Sequence, residues 1–248
     1  MQLWMDQFDM GQRHYDLFFT VGQNIGQPDC PVPTGGLQWQ TFWPPVIQDL
    51  WGERAGEVSA PFSTVSQWWG CPPTYFRGEE YEGSKRIEFL RFVDLPALSR
   101  RRFQLALNLH PVDDTADKQL LLAKGWQVHD AHQVVGNFPS YRQYIHNSCG
   151  EFSAAKPGYI KSRSGWFSDR SVCYLAAGRP VLVQDTGVSA YLPTGRGVLT
   201  FSSLEQAVAG VEEIQQNYLL HSQAAREVTR EYFAAEKVLG KLLRDAGL

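Results

Sequence analysis

Between residues 156 and 168 the chain reads Lys156-Pro157-Gly158-Tyr159-Ile160-Lys161-Ser162-Arg163-Ser164-Gly165-Trp166-Phe167-Ser168. Lys156, Lys161 and Arg163 supply positive charge, Ser164 and Ser168 supply hydroxyl donors, and Gly165 lets backbone approach a ligand closely. The segment leads from a strand into a helix, whose first N–H groups and dipole favour a phosphate. It holds neither a Walker lysine pattern nor a GxGxxG fingerprint, so a P-loop and a dinucleotide fingerprint are both excluded. A phosphate-binding loop and a solvated basic loop with an ordinary serine cap fit the spacing equally well.

Two further loops carry candidates. Asp185, Thr186 and Gly187 follow an apolar strand and could reach a ligand hydroxyl, although spacing alone favours a turn in which Asp185 satisfies its own backbone. Gln23, Asn24 and Gly26 end the first strand; they suit either sugar hydrogen bonding or a glycine-dependent turn. The histidines, His14, His110, His129, His132, His146 and His221, are scattered. His110 follows a strand and is the better placed of them for a general base, yet a surface role suits it more, and no residue is assigned as catalytic. Cys30, Cys71, Cys149 and Cys173 form no CxxC pair and have no histidine at metal spacing. Reduced thiols and no metal are expected.

These loops need a scaffold. Strands are expected over 16–21, 62–66, 103–107, 126–129, 151–154 and 181–184. Helices are expected over 85–93 (Ile87 and Leu90 inward), 114–124 closed by Gly125, 140–145 capped by Ser140, 168–177, 204–218 and 224–243. For 204–218, Ser202 and Glu205 have capping-box spacing. Five short strands alternating with helices after residue 57 describe an α/β, doubly wound, Rossmann-like domain whose ligands sit beyond the carboxyl ends of the strands. Segment 27–57 is rich in Pro, Gly and Trp, and a boundary is placed at 57.

The run Ser171-Val172-Cys173-Tyr174-Leu175-Ala176-Ala177-Gly178-Arg179-Pro180-Val181-Leu182-Val183-Gln184-Asp185-Thr186-Gly187 resembles the donor-domain signature of GT-B glycosyltransferases: a helix ending in Gly-x-Pro, a β run, and a closing Asp-x-Gly turn. The wider span from Glu151 to Leu248 is similar to uncharacterised bacterial glycosyltransferases of this type. The resemblance implies that residues 58–248 are the nucleotide-sugar-binding C-terminal half of the GT-B fold and residues 1–57 a remnant of the acceptor domain with its connection. It implies glycosyl transfer from a nucleotide-activated sugar, with donor and phosphate contacts from Lys156, Lys161, Arg163, Ser164, Gly165, Ser168, Asp185, Thr186 and Gly187, and a cleft loop of Gln23, Asn24 and Gly26. The sugar nucleotide is a substrate, and no cofactor is implied. One departure stands out: many retaining members carry a ribose-binding Glu where this chain has Cys173, and Asp169 one turn earlier is the available substitute. A non-catalytic nucleotide-sugar-binding module and a sugar-nucleotide epimerase stay open as alternatives.

Composition sets the outer bounds. With 248 residues, 43% hydrophobic, the chain can bury a sizeable core. Twenty-three Lys and Arg against 26 Asp and Glu give a net charge of −3, which offers no electrostatic drive toward nucleic acid. No apolar run has transmembrane length, and residues 1–9 lack the pattern of a signal peptide. A cytoplasmic protein is expected. The strand at 16–21 is too apolar for an isolated edge, and its pairing between two copies predicts a homodimer through the N-terminal segment.

Overall fold

A computed structural model describes residues 14–52 and 56–248; residues 1–9, read above for a signal peptide, lie outside them. The N-terminal segment contributes two short strands, β1 (Phe18–Thr20) and β2 (Trp39–Thr41), paired in parallel. The remainder is built on β3 (Phe62–Gln67), a hairpin of β4 (Cys71–Phe76) and β5 (Glu79–Gly83), helices α1 (Arg86–Arg91) and α2 (Leu95–Ser99), β6 (Phe103–Asn108), α3 (Thr115–Ala123), β7 (Trp126–Asp130), α4 (Ala131–Val134), α5 (Phe138–His146), β8 (Gly150–Ser153), α6 (Pro157–Lys161), α7 (Asp169–Ala176), β9 (Val181–Gln184), β10 (Val198–Phe201), α8 (Leu204–Gln216), α9 (Tyr218–Val228) and α10 (Ala235–Asp245).

Six of these strands form one parallel sheet in the order β10-β9-β8-β3-β6-β7. The first strand, β3, lies between the second, β6, and the fourth, β8, so the chain winds outward first to one side and then to the other. That is the doubly wound order, and its direction reverses between β3 and β8. Helices cover both faces, so the central strands are buried on both sides: every residue of β8 and β9 is buried. The aromatic rings of Phe62, Phe103, Trp126, Phe152 and Phe201 pack along one face as a continuous cluster.

The structure differs from the sequence expectation in several elements, each with a local cause. A sixth strand, β10, was not expected; its four residues are too few to show a period. The hairpin was not expected either, because Pro72 and Pro73 interrupt it and its faces are polar; Arg77 (φ 52°) and Gly78 (φ 76°) make the two-residue turn with positive φ that suits a hairpin. The helix read over 85–93 stops at Arg91 and restarts as α2, with Pro96 in the first turn. Ile87 consequently faces solvent (45% exposed), while Phe89 is buried. Asn137, rather than Ser140, caps α5, with Ser140 completing its capping box. Ser203, rather than Ser202, caps α8, accepting from Gln206 N (3.3 Å), while the Gln206 side chain accepts from Ser202 N (2.8 Å). The Gly178 cap forms as expected: φ is 70°, its N–H reaches the Leu175 carbonyl at 2.9 Å, and that of Arg179 reaches Tyr174 at 2.8 Å.

The long C-terminal helix is broken. A π-helical turn, Thr229–Phe233, follows α9, and Ala234 is extended (φ −56°, ψ 126°) before α10. Val46 lies beside Ala234 and explains the break, since its N–H donates to Phe233 O (2.8 Å) and its carbonyl accepts from Ala235 N (3.0 Å). In the frame after the break Leu239 is half exposed and Val238 is buried.

The N-terminal segment is fastened at two further places. Trp43 meets Phe167 and Phe233 edge-on, and the buried Trp51 packs on Phe138 and Tyr141 of α5. Tyr15, Leu17, Ile47 and Leu50 stay exposed along it. Among the described residues no helix is long and apolar enough to cross a membrane.

Candidate functional site

The reversal of winding leaves a gap beyond the carboxyl ends of β3 and β8, the position at which open α/β sheets bind ligands. A crevice of about 590 Å³ opens there. Ser66 and Gln67 of β3 and Asn108 of β6 form its floor. Lys156 and Tyr159, after β8, and Ser168, Asp169 and Arg170, at the start of α7, form one wall. Trp69 and Cys71, leading into the hairpin, form the other.

Three cations converge on this space. Arg170 is fixed from below: Nε donates to Glu151 Oε1 at 2.5 Å, one terminal nitrogen to Val65 O at 2.9 Å and the other to Ser153 Oγ at 2.6 Å. Burial opposes its charge, but the fully buried Glu151 carboxylate outweighs that cost and leaves the Arg170 pKa raised. Thr64 Oγ1 also donates to Glu151 Oε1, at 3.3 Å, whereas Oε2 has no hydrogen-bond partner among the described residues. Lys85, just before α1, is 7% exposed, with its ammonium over the Trp166 ring at 5.6 Å. Burial pushes its pKa well below the usual lysine range, and the neighbouring Arg170 and Lys156 charges act in the same direction. No hydrogen bond or ion pair engages its ammonium among the described residues. Lys156 completes the trio, lying over the Tyr159 ring at 5.7 Å, and that ring in turn stacks at a tilt on Trp166.

The N-terminus of α7 points into the same space. Ser168 is its N-cap, but the Ser168 hydroxyl turns to Asp169 Oδ1 (3.3 Å) and caps no backbone N–H of the helix. The Asp169 carboxylate, at the first helical position, accepts from Arg170 N at 2.9 Å. This helix start beside three basic side chains, one of them desolvated and without an ion pair among the described residues, is an arrangement for an anion.

Of the residues singled out in the sequence, Lys156, Ser168, Asp169, Cys71 and His132 line this crevice. The others lie around it. Lys161 Nζ is bound to Glu79 Oε2 (2.5 Å) and Glu80 O (2.8 Å), over the Tyr81 ring, and so ties α6 to the hairpin. Arg163 pairs with Asp29 at 3.0 Å. Ser164 and Gly165 meet the N-terminal loop, with Asn24 N donating to Ser164 O (3.1 Å) and Gln23 N to Gly165 O (3.4 Å). Gly165 has φ 69°, and a Cβ there would lie 2.8 Å from Asn24 N. Asn24 Nδ2 donates to Arg163 O (2.8 Å) and Asp29 Oδ1 (3.1 Å), and its Oδ1 accepts from Tyr191 at 2.5 Å. Gln23 Nε2 donates to Phe42 O at 2.8 Å, and Gly26, φ 87°, closes the turn. Asp185 accepts from Gly187 N (2.8 Å) and Ser189 Oγ (2.7 Å), and Thr186 Oγ1 donates to Trp166 O (2.6 Å). These two loops thus act on the crevice through Trp166 and the 163–165 backbone. Cys173 faces Tyr141, and burial pushes its thiol up to about 12. Of the six histidines, His132 is on the crevice lining.

Sequence reasoning missed Lys85, Arg170, Trp69 and Asn108. Asn108, ending β6, is legible from the strand-end rule once the strand is drawn. Lys85 begins the first helix after β3, but an unread hairpin stood between. Arg170 and Trp69 carry no spacing signal.

A doubly wound parallel sheet with a basic crevice at its reversal point defines a Rossmann-like domain. No protein-family model and no curated protein matches the sequence. Among solved structures the chain is similar to TarM (14% identity, TM-score 0.57, covering 84% of this chain and 39% of that one). It is also similar to HepE of Anabaena in complex with UDP and glucose (11%, 0.55, 86% and 58%) and to a glycosyltransferase from Rickettsia africae ESF-5 (12%, 0.52, 83% and 56%). The chain therefore has the fold of the Rossmann-like domain of GT-B glycosyltransferases, and it spans between 39% and 58% of the length of these three proteins.

Proposed function

We propose that the chain binds a nucleotide-activated sugar through its diphosphate and supplies the donor side of glycosyl transfer. The observation that carries this reading is the convergence of Lys85, Lys156, Arg170 and the start of α7 on one crevice at the reversal of the sheet. The diphosphate would lie across the three cations, with Arg170 held rigid by Glu151 and Lys85 gaining the counter-charge its burial denies it. HepE, of similar fold, is seen with UDP, which supports a nucleoside diphosphate as the ligand class. The sugar nucleotide enters as substrate rather than as cofactor.

Melting in the presence of UDP, GDP and ADP tests this. A ligand at 100 times its dissociation constant stabilises the fold by about 2.7 kcal/mol; no shift with any of the three at millimolar concentration refutes the reading. A second reading, donor binding without transfer, is favoured by Cys173: a neutral, half-buried thiol stands where the resemblance leads one to expect a carboxylate. Release of free sugar or a glycosylated product from a sugar nucleotide separates the two, and conversion of the sugar with no acceptor present would instead indicate an epimerase. The first strand pairs with β2 of the same chain rather than with a second copy, so self-association through residues 1–57 is supported only by the exposed Tyr15, Leu17, Ile47 and Leu50; a monodisperse monomer by light scattering refutes it.

A further inference from the structure

Trp69 stands apart from the other described tryptophans. It is 52% exposed, lines the crevice, and is nevertheless immobilised. Its indole N–H donates to Asp114 Oδ1 at 2.7 Å, and Asp114 is itself held by the backbone N–H of His110 (2.7 Å). The Arg86 guanidinium covers the ring at 5.4 Å and is locked in turn by a two-pronged contact with Asp117 (2.5 and 2.8 Å). Arg86 is not part of the crevice lining, whereas the half-exposed Trp69 is. An aromatic ring anchored at its edge, backed by a fixed cation and half exposed, is preorganised for a planar partner: none of its own freedom is lost when something stacks on it.

The chemistry of the crevice is divided. The cations and the start of α7 lie on the β8 side, and Trp69 is tied to the β6 side through Asp114. At the end of β6 the lining offers the Asn108 amide, which no protein group engages among the described residues and which can both donate and accept. One end thus suits an anion and the other a flat ring with a hydrogen-bonding edge, the two halves of a nucleotide. A pocket of this size accommodates both.

We infer that Trp69 is the stacking platform for the nucleobase of the bound nucleotide, with Asn108 reading the edge of that base. The inference rests on the proposed nucleotide reading, and the test keeps the two apart by using a ligand with no base. Binding of inorganic pyrophosphate and of UDP, GDP and ADP to the full chain is measured by calorimetry for the parent, Trp69→Ala and Trp69→Phe. Inorganic pyrophosphate binding by the parent reports on the cationic end alone. Trp69→Ala should weaken the preferred nucleoside diphosphate about tenfold or more and leave pyrophosphate unchanged, while Trp69→Phe retains most of the affinity. If Trp69→Ala does not fold, Trp69→Leu replaces it, keeping bulk without a π face. Equal losses for pyrophosphate and nucleotide, or no loss for the nucleotide, overturn the inference. A loss confined to UDP-glucose, with UDP itself unaffected, also overturns it and gives the ring to the sugar. Nucleotide binding that depends on Trp69 when the parent ignores pyrophosphate refutes the diphosphate reading and leaves the platform standing. No binding of any nucleoside diphosphate refutes both.

Discussion

Replacing Glu151 with glutamine should pull stability and anion affinity in opposite directions. Glu151 is fully buried and faces Arg170, whose side chain is itself only 12% exposed. The variant keeps an acceptor for Arg170 Nε but removes the charge that offsets the guanidinium. The second position of the new amide, at the present Oε2, has no partner among the described residues, so an NH₂ placed there is left unsatisfied. Removing one member of a buried ion pair costs about 3–5 kcal/mol; with one hydrogen bond retained, the expected loss is about 3 kcal/mol. For a chain of this size that corresponds to a fall in Tm of roughly 6–12 °C. Arg170 then presents a less compensated charge to the crevice, and pyrophosphate should bind several-fold more tightly. Differential scanning calorimetry and titration calorimetry on the same preparations read both quantities. Glu79→Gln, which loosens the exposed pair with Lys161, is the control and should move neither. An unchanged Tm refutes the buried-pair reasoning, and unchanged or weaker pyrophosphate binding refutes the view that Arg170 serves the crevice.

Lys85→Met should lose pyrophosphate affinity about tenfold or more, the scale of a hydrogen bond to a charged group, while gaining stability at pH 7. Because the folded pKa of Lys85 lies below the unfolded value, the unfolded chain binds the extra proton. Burial therefore costs stability at pH 7, and the gain on substitution should shrink as pH rises toward the ordinary lysine range; a pH-independent gain refutes the assignment. Gly165→Ala combines positive φ with a Cβ 2.8 Å from Asn24 N and should destabilise by more than about 1 kcal/mol, measured by urea denaturation; a neutral result refutes the tight contact between the loops. Deleting residues 1–52 strips the cover from Phe167 and Phe233 and removes the partner of Ala234, so the truncated chain should fail to give a cooperative melt. A soluble truncation that melts cooperatively shows that the N-terminal segment is dispensable.

The alternation of apolar runs and helical periods was enough to read a doubly wound sheet, because buried parallel strands such as Val181-Leu182-Val183 are almost uniformly apolar, and Gly178-Arg179-Pro180 could only end a helix. Elements whose identity depends on a distant partner were not readable. Nothing local in Thr229–Phe233 announces a helix break, since the break is imposed by Val46. The basic loop at 156–168 drew attention by its charge, yet the charge of Lys161 and Arg163 is spent on Glu79 and Asp29. Lys85 and Arg170 gain their interest from burial, which a linear sequence does not display. Asn24 is a cleft candidate by its place at a strand end, and its hydrogen bonds join it to Arg163, Asp29 and Tyr191.

The pairing of Val46 with the Phe233–Ala235 backbone sets an order on biosynthesis. Contacts between residues so far apart in sequence have a high closure cost and form late. On the ribosome, Trp43 emerges long before Phe167 and longer still before Phe233, so its ring and the strands beside it must wait in the open while the sheet is assembled. The N-terminal segment can be seated only after the Phe233–Ala235 stretch, to which Val46 is hydrogen-bonded, has left the exit tunnel. A chain stalled before residue 233 would thus display its aromatic N-terminal segment undocked, and that is the intermediate on which a chaperone for apolar segments would act.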